Sequence, residues 1–475
     1  MKTDTIAAIA TALSDSGIGI IRISGEEAIS VADSIFRTKS GKRKLAEVQS
    51  HTIHYGYIVD SEKEQCDDWK SHIIDEVMVA VMKAPRSYTT EDTVEINCHG
   101  GVLVMQKILE TVIKAGARIA EPGEFTKRAF LNGRIDLSKA EAVIDVIHSQ
   151  NEFAYASSMN QLKGNLSEEI AVIRAAIIYE IAFIESALDD PEHISLDGYT
   201  ERLSEKVDHL SERIARMIAT ADNGKLMKEG IATVIVGKPN AGKSSLLNLM
   251  VGEERAIVTD IAGTTRDVLQ ESIKLHGIGL NIIDTAGIHD TEDVVEKIGV
   301  EKAKKYATDA DLIIYVVDSS VELDESDKEI LTLLENKKSI ILLNKTDLFN
   351  IVTEEKLKTL IDEVIPNHED VVMIRTSTKE NTGMDIFEDT IKNMFFGGEL
   401  KNNNEIVITN MRHKEALQDA YNSLAMVKRS IEDDMPEDFY SIDLMSAYSS
   451  LGMIIGEEVR EDLVNEIFSK FCMGK

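Results

Sequence analysis

The sequence predicts a multidomain chain. An N-terminal α+β domain spans 1–130, and an all-α helical domain comes in two parts, 131–226 and 395–475. Between them, over 227–394, an α/β domain with a mostly parallel sheet is inserted. Three observations predict this. Short β-branched runs bounded by glycines dominate the first part. Apolar residues at helical steps of three and four fill the blocks on either side of the middle. In the middle, apolar runs alternate with helical or charged segments, the pattern of a parallel sheet with helices on both faces.

Taken in order, Gly19 to Gly25 reads as an apolar strand interrupted by Arg22. Ile53–Val59, Glu76–Val81 and Thr93–Gly101 read as further strands, the last carrying Glu95. Residue pattern alone puts Arg22 and Glu95 on the outward face of a half-buried sheet. Val102–Lys114 reads as a helix with Gly116 just past its end. Glu121-Pro122-Gly123-Glu124 is a breaker cluster and is expected to be a linker.

The period then changes. Ala140, Val143, Ile144 and Ile147 share one helical face. Ile170, Ile173, Ile177, Ile181, Ile184 and Leu188 continue it before Pro191, and Leu203, Val207, Leu210, Ile214 and Met217 repeat as heptad steps. Strands are expected at 231–236, 280–283, 312–317, 339–343 and 371–374. Phe395 to Asn404 reads as the return linker. Leu417, Ala420, Leu424, Val427 and Ile431 restore the helical step, and Val459, Leu463, Ile467 and Phe471 line a final helix. Neither helical part makes an obvious bundle alone, so the two are expected to pack together around an insertion whose ends lie close.

Composition narrows the class. The chain has 475 residues, 43% of them hydrophobic, with no apolar run long enough to span a membrane. Met1 to Asp4 lack a signal-peptide pattern. The cysteines, Cys66, Cys98 and Cys472, form neither a disulfide framework nor a zinc spacing, so a cytoplasmic protein is expected. A net charge of −31 argues against nucleic-acid binding over a broad face, and a partner would supply much of any basic surface. The basic run Arg37 to Lys44 reads as a solvated loop.

The chemistry centres on Gly237-Lys238-Pro239-Asn240-Ala241-Gly242-Lys243-Ser244, which fits G-x-x-x-x-G-K-[ST]. An apolar strand precedes it and a helix beginning near Ser245 follows, so backbone N–H groups and the helix dipole converge on one anion site. Lys243 would reach the outer phosphates and Ser244 would coordinate Mg²⁺. Further stretches follow in order. Thr265, within Gly263 to Asp267, could ligate Mg²⁺ and report the γ-phosphate. Asp284-Thr285-Ala286-Gly287 ends a strand; Asp284 could hold the Mg²⁺ shell and the Gly287 N–H could approach the γ-phosphate. In Asn344-Lys345-Thr346-Asp347, the Asp347 carboxylate can accept from guanine N1–H and N2–H₂. Adenine would leave that charge unpaired, so GTP is selected over ATP. Ser377-Thr378-Lys379 would close over the base. Ile288 stands where Ras-like enzymes place a water-orienting glutamine, so the water must be oriented from elsewhere. Glu292, Glu296 and Glu301 are candidates on the residues alone. The charge of an arginine finger is also to be found, from Arg266 or a bound cation.

These residues resemble the MnmE (TrmE) family of tRNA-modification GTPases along the whole chain. The marks are the phosphate loop, Thr259 to Asp267 and Asp284 to Gly287, together with Gly19 to Gly25, Glu121 to Asn132 and the tail Cys472-Met473-Gly474-Lys475. The resemblance implies a homodimer formed through a folate-binding N-terminal domain. It implies K⁺-dependent pairing of the GTPase domains, with K⁺ ligands at Asn240, Thr259, Ile261 and Thr264. Glu296, directly before Lys297-Ile298-Gly299, matches the family's water-activating glutamate. The folate contacts map to Arg22, Glu95, Arg134 and Lys475, and 5-formyl- or 5,10-methylene-tetrahydrofolate is the implied one-carbon source. That reading outweighs the outward-strand one for Arg22 and Glu95. With an MnmG-like FAD protein, the family adds an aminomethyl or carboxymethylaminomethyl group at C5 of a wobble uridine. Met473 replaces the usual Ile, Leu or Val of the tail, and Thr378 the usual Ala. Cys472 could be a nucleophile or a buried small residue. The alternative role is an Era-like switch GTPase in ribosome assembly, although such proteins carry a basic appendage and this chain's are acidic.

Overall fold

The computed structural model describes residues 4–41, 45–60, 69–149, 151–253, 271–275, 278–283, 306–396, 406–457, 459–471 and 474. The chain forms two compact units. One contains Met1–Ile144, Gln161–Asp197 and Arg429–Lys475; the other contains Asp145–Asn160 and Gly198–Lys428.

The first unit is built on a seven-stranded sheet of β1 (Ile6–Ile9), β2 (Ser16–Ser24), β3 (Phe36–Arg37), β4 (Thr52–Val59), β5 (Ile73–Met82), β6 (Thr93–Gly100) and β7 (Arg118–Ile119). Their order is β3-β4-β5-β6-β2-β1-β7, antiparallel except for the β1–β7 pair. Alternation along β2, β5 and β6 turns Ile21, Ile23, Val79, Val81, Val94 and Ile96 into one core. Ala28–Ile35 and Val102–Lys114 cover it with Val31, Ile35, Met105 and Ile108. The short β1 and the helix Ala28–Ile35 are not evident in the residue pattern, because each is only a few residues long and gains its place from packing.

Glu121–Glu124 is a packed helix start, not a linker. Gly123, at φ +68°, begins the helix Glu124–Leu131, and a Cβ there would lie 2.6 Å from the Phe468 carbonyl. Glu124 is buried and paired with Arg118 at 2.6 Å and Arg128 at 3.0 Å. The same unit packs Asn165–Asp189 against Glu437–Ile455. Arg174 joins them: it donates to the Tyr448 carbonyl at 3.3 Å, stacks 3.9 Å over the Tyr448 ring and pairs with Glu457. Ile170, Ile173, Ile177, Ile181 and Ile184 are buried as their spacing predicts, whereas Leu188 is exposed. On the helix Glu461–Ser469 Val464 and Phe468 are buried, and the expected Val459, Ile467 and Phe471 pack against the same cluster, so the covered face is wider than the predicted stripe.

The second unit holds a six-stranded sheet: β8 (Ile231–Val236), β9 (Glu271–Leu275), β10 (Ile278–Ile282), β11 (Leu312–Asp318), β12 (Ser339–Asn344) and β13 (Val371–Arg375). The order is β13-β12-β11-β8-β10-β9, parallel throughout except β9–β10. Both faces carry cores, one including Leu246, Leu280, Leu342 and Phe387, the other Tyr315, Leu331, Ile341 and Leu357. This is why the central strands read as unbroken apolar runs. Phe395 and Phe396 are buried at the end of Met384–Phe396 and belong to the first of these cores, so they are not linker. Residues 397–405 lie outside the described residues.

In this unit the two sequence-distant helical parts meet. Leu203, Val207, Leu210, Ile214 and Met217 on Tyr199–Ala219 are buried, as are Leu417, Ala420, Leu424 and Val427 on Met411–Glu432. Lys428 pairs with Asp208 at 2.5 Å and Lys414 with Asp222 at 2.6 Å. Gly224 lies against the returning chain, where a Cβ would stand 2.1 Å from the Ile408 carbonyl. Among the described residues, no helix is long and apolar enough to cross a membrane. Gly224→Ala is expected to destabilise this junction by about 1–3 kcal/mol, a fall of roughly 2–10 °C in its thermal midpoint. Differential scanning fluorimetry reads this, and an unchanged midpoint would mean that the close approach is not constrained.

Candidate functional site

The nucleotide-site residues named from the sequence and described here sit beyond the carboxyl ends of β8, β12 and β13, where open α/β sheets bind ligands. β8 ends at Val236, and Gly237 turns the chain away at φ +152°. A Cβ at Gly237 would lie 2.4 Å from the Val316 carbonyl on the neighbouring strand. Asn240 adopts a left-handed φ of +61° and Gly242 one of +109°, and the helix Lys243–Glu253 begins at once. Leu246, Leu247 and Met250 bury its inner face and fix its start. Asn240 in the turn and Ser244 and Ser245 at the helix start are exposed.

Lys243 folds over the loop. Its Nζ donates to the carbonyls of Gly237 and Lys238, each at 2.8 Å, and burial pushes its ammonium below the ordinary lysine value. A desolvated cation beside carbonyl oxygens and a helix start is suited to an anionic ligand.

The loops after β12 and β13 are tied to this loop through one buried side chain. Asn344 Nδ2 donates to the Ala241 carbonyl at 2.9 Å, and its Oδ1 accepts from the Thr378 N–H at 3.1 Å. The Gly242 position depends on this tie, since a Cβ there would come within 2.1 Å of Asn344 Nδ2. Lys345, itself at φ +60°, donates to Asp318 at 2.6 Å. Burial raises the Asp318 carboxyl, but the hydrogen bonds from Lys345 and Ser320 outweigh it and hold it below its ordinary value. Asp347 accepts from Ser377 Oγ at 2.7 Å, and Ser377 bridges to Thr382 to shape the loop that carries exposed Lys379. Asp318 was not found from the sequence. It ends an apolar strand, and only the β11–β12 register, which sets it opposite Asn344, reveals it.

The structure brings together Asn240, Ala241, Gly242, Lys243, Ser244, Ser245, Asn344, Lys345, Asp347, Ser377, Thr378 and Lys379. Thr259, Ile261, Thr264, Thr265, Arg266, Asp284, Thr285, Ala286, Gly287 and Glu296 lie outside the described residues, as do Cys472 and Lys475.

A second polar cluster lies in the first unit. Arg22 on β2 and Glu95 on β6 are register partners, and Arg22 Nε donates to Glu95 Oε1 at 2.8 Å. Arg22 Nη1 also donates to the Gly474 carbonyl at 3.2 Å, so Gly474 lies against the first strands. The Arg22 guanidinium lies 5.5 Å from the Tyr88 ring centroid and 5.6 Å from that of Phe125. Arg134 covers the same Tyr88 ring at 4.8 Å and donates to the Tyr88 carbonyl at 2.7 Å. Tyr88 and Phe125 were missed by the sequence reading, because an aromatic in a loop and one in a short helix carry no periodic signal.

Asn344→Ala removes both hydrogen bonds that join the loops. At about 1 kcal/mol each, guanine-nucleotide affinity is expected to fall about thirtyfold, as read by calorimetry with GDP. Affinity within about twofold of wild type would show that the tie does not shape the site.

Residues 5–134 match the family described as GTP-binding protein TrmE N-terminus, and residues 137–472 match MnmE helical domain. The tRNA modification GTPase MnmE of Lachnoclostridium phytofermentans is 59% identical over 475 residues, covering 100% of both chains. The proteins of the same name from Clostridioides difficile and Acetivibrio thermocellus are 50% and 48% identical. The former match covers 99% of each chain and the latter 100% of each. These full-length matches do not favour the Era-like alternative. Matched by both family models and by full-length relatives of that name, the chain is a GTPase and belongs to the MnmE (TrmE) family.

Proposed function

We propose that this GTPase acts in the cytoplasm as a homodimer with an MnmG-like FAD protein. Together they add an aminomethyl or carboxymethylaminomethyl group at C5 of the wobble uridine of certain tRNAs. The one-carbon unit comes from 5-formyl- or 5,10-methylene-tetrahydrofolate. The observation that carries the reading beyond GTP hydrolysis is the convergence of Arg22, Glu95, Arg134 and the Gly474 carbonyl around Tyr88. A cation beside a carboxylate, bordered by an aromatic face, suits a ligand with N–H donors, an anionic tail and a flat ring. Folate has all three, and it supplies the one-carbon unit when bound. Lys475 would add a second cation and Cys472 a candidate nucleophile.

In the GTPase unit, Lys243 binds the outer phosphates and Asp347 takes the guanine N–H donors. Lys345 and Ser377 to Lys379 close around the base. Ser244 and Thr265 would hold Mg²⁺, with Asp284 in its shell, and the place of Ser244 at the helix start fits that role. Asn240, exposed in the loop, fits a K⁺ ligand, with Thr259, Ile261 and Thr264 as the other proposed ligands. A K⁺ held by these residues would supply positive charge where an arginine finger would otherwise act. Glu296 orients the attacking water, and Arg266 is the other candidate for transition-state charge.

Two surface features support the partners. Ile53, Tyr55 and Met78 are exposed on one face of β4 and β5, with Tyr55 and Met78 opposite each other in register, an apolar face suited to a second copy. The net charge of −31 fits tRNA being held largely by the flavoprotein.

GTP hydrolysis is expected to run faster in KCl than in NaCl at equal ionic strength, with the difference lost in Asn240→Ala. In the same assay, Glu296→Ala should bind GTP and fail to hydrolyse it. Equal wild-type rates in the two salts would remove K⁺ from the mechanism. Arg22→Ala should weaken 5-formyl-tetrahydrofolate binding about ten- to hundredfold, the scale of a hydrogen bond to a charged group. Unchanged affinity by calorimetry would refute the folate assignment.

A further inference from the structure

The phosphate loop contains a second lysine, Lys238, at a position where its motif specifies no residue type. Its side chain reaches the helix that follows β11. Lys238 Nζ donates to Asp327 Oδ2 at 2.7 Å and to Asp324 Oδ2 at 3.0 Å. Asp327 is only 1% exposed and is a built acceptor. Its Oδ1 accepts from the Tyr315 hydroxyl at 2.6 Å, and its Oδ2 also accepts from the Asp324 N–H at 2.8 Å. Asp324 caps the helix Glu325–Leu331 in a reciprocal capping box with Asp327. Tyr315 is fully buried on β11, opposite Val236 in register. The lysine is therefore tethered to a rigid helix start and a central strand.

The backbone of Lys238 makes separate contacts within the loop. Its carbonyl accepts from Lys243 Nζ at 2.8 Å and from the Ala241 N–H at 3.2 Å. The neighbouring Gly237 carbonyl accepts from the same ammonium. One residue thus links a buried carboxylate to the two carbonyls that orient the phosphate-binding lysine.

We infer that Lys238 is a positioning residue for GTP binding, acting through Lys243 by clamping the first turn of the phosphate loop to Asp327. It rests on the phosphate role proposed for Lys243. The charged form is the one the site favours: burial opposes it, but hydrogen bonds from Lys238 to Asp327 and Asp324 outweigh burial and raise its pKa above the ordinary lysine value. Arginine can keep the contact with both carboxylates, and methionine keeps the apolar stem without the charge.

The test is titration of the full chain with a fluorescent N-methylanthraniloyl GDP, in wild type, Lys238→Met, Lys238→Arg, Lys243→Ala and the Lys238→Met/Lys243→Ala double variant. Lys238→Met is expected to raise Kd about tenfold, and Lys238→Arg to stay within about twofold of wild type. In the Lys243→Ala background the Lys238 change should add little, because its effect runs through the missing ammonium. Tyr315→Phe, which removes one donor from Asp327, should raise Kd in the same direction and serves if Lys238→Met does not fold. An unchanged Kd in Lys238→Met, or in Tyr315→Phe where that stands in, would overturn the inference alone if Lys243→Ala still weakens binding. An equal effect of Lys238→Met with and without Lys243 would also overturn it. Wild-type affinity in Lys243→Ala would overturn the phosphate role of Lys243 and this inference together.

Discussion

The Asn344 side chain stands between the two halves of the nucleotide site. One edge of its amide holds the loop after β8 and the other holds the loop after β13, while its own backbone ends β12. Three segments far apart in sequence are thereby set at one spacing. A buried amide that lost either contact would leave a polar group unsatisfied, so the contacts support each other. The close approach of Gly242 to the same amide then excludes any residue with a Cβ at that position.

The same logic of satisfied burial runs beneath the loop. Asp327 receives a phenol hydroxyl, a backbone N–H and an ammonium, and each donor comes from a different element. A buried carboxylate with several donors is held in place and holds its donors in turn. The loop at 237–244 is thus backed by polar contacts as well as by the apolar sheet.

In the first unit the segment Glu124–Leu131 has a comparable place. Arg128 pairs with Glu91 at 3.1 Å and Glu124 at 3.0 Å, and Asn132, just past the helix, donates to the Thr89 carbonyl at 2.7 Å. These contacts fix the loop that carries Tyr88 beside Arg22. A stretch that reads as a breaker cluster is in fact the support of an aromatic wall. Its glycine begins a helix, and Glu124 is buried because Arg118 and Arg128 pair with it, while Glu121 stays exposed.

The amino-acid order by itself determined the elements whose signal is local and repeated. The parallel sheet, the heptad helix Tyr199–Ala219, the helix Val102–Lys114 and the phosphate loop were all legible, because periodicity and motif spacing are properties of neighbouring residues. Boundaries failed where tertiary packing overrode local chemistry, as at Glu121–Glu124 and at Phe395 and Phe396. The helix Glu437–Ile455 was missed because it carries apolar residues, buried and exposed, around much of its circumference and so shows no single stripe. The partner of a charged side chain was legible only where a family resemblance named the site. Lys345 with Asp318, Lys238 with Asp327, and Arg22 with the Gly474 carbonyl join residues 27, 89 and 452 positions apart. Strand register and chain return decided those pairs, since a hydrogen bond depends on distances of a few ångströms that sequence separation does not encode.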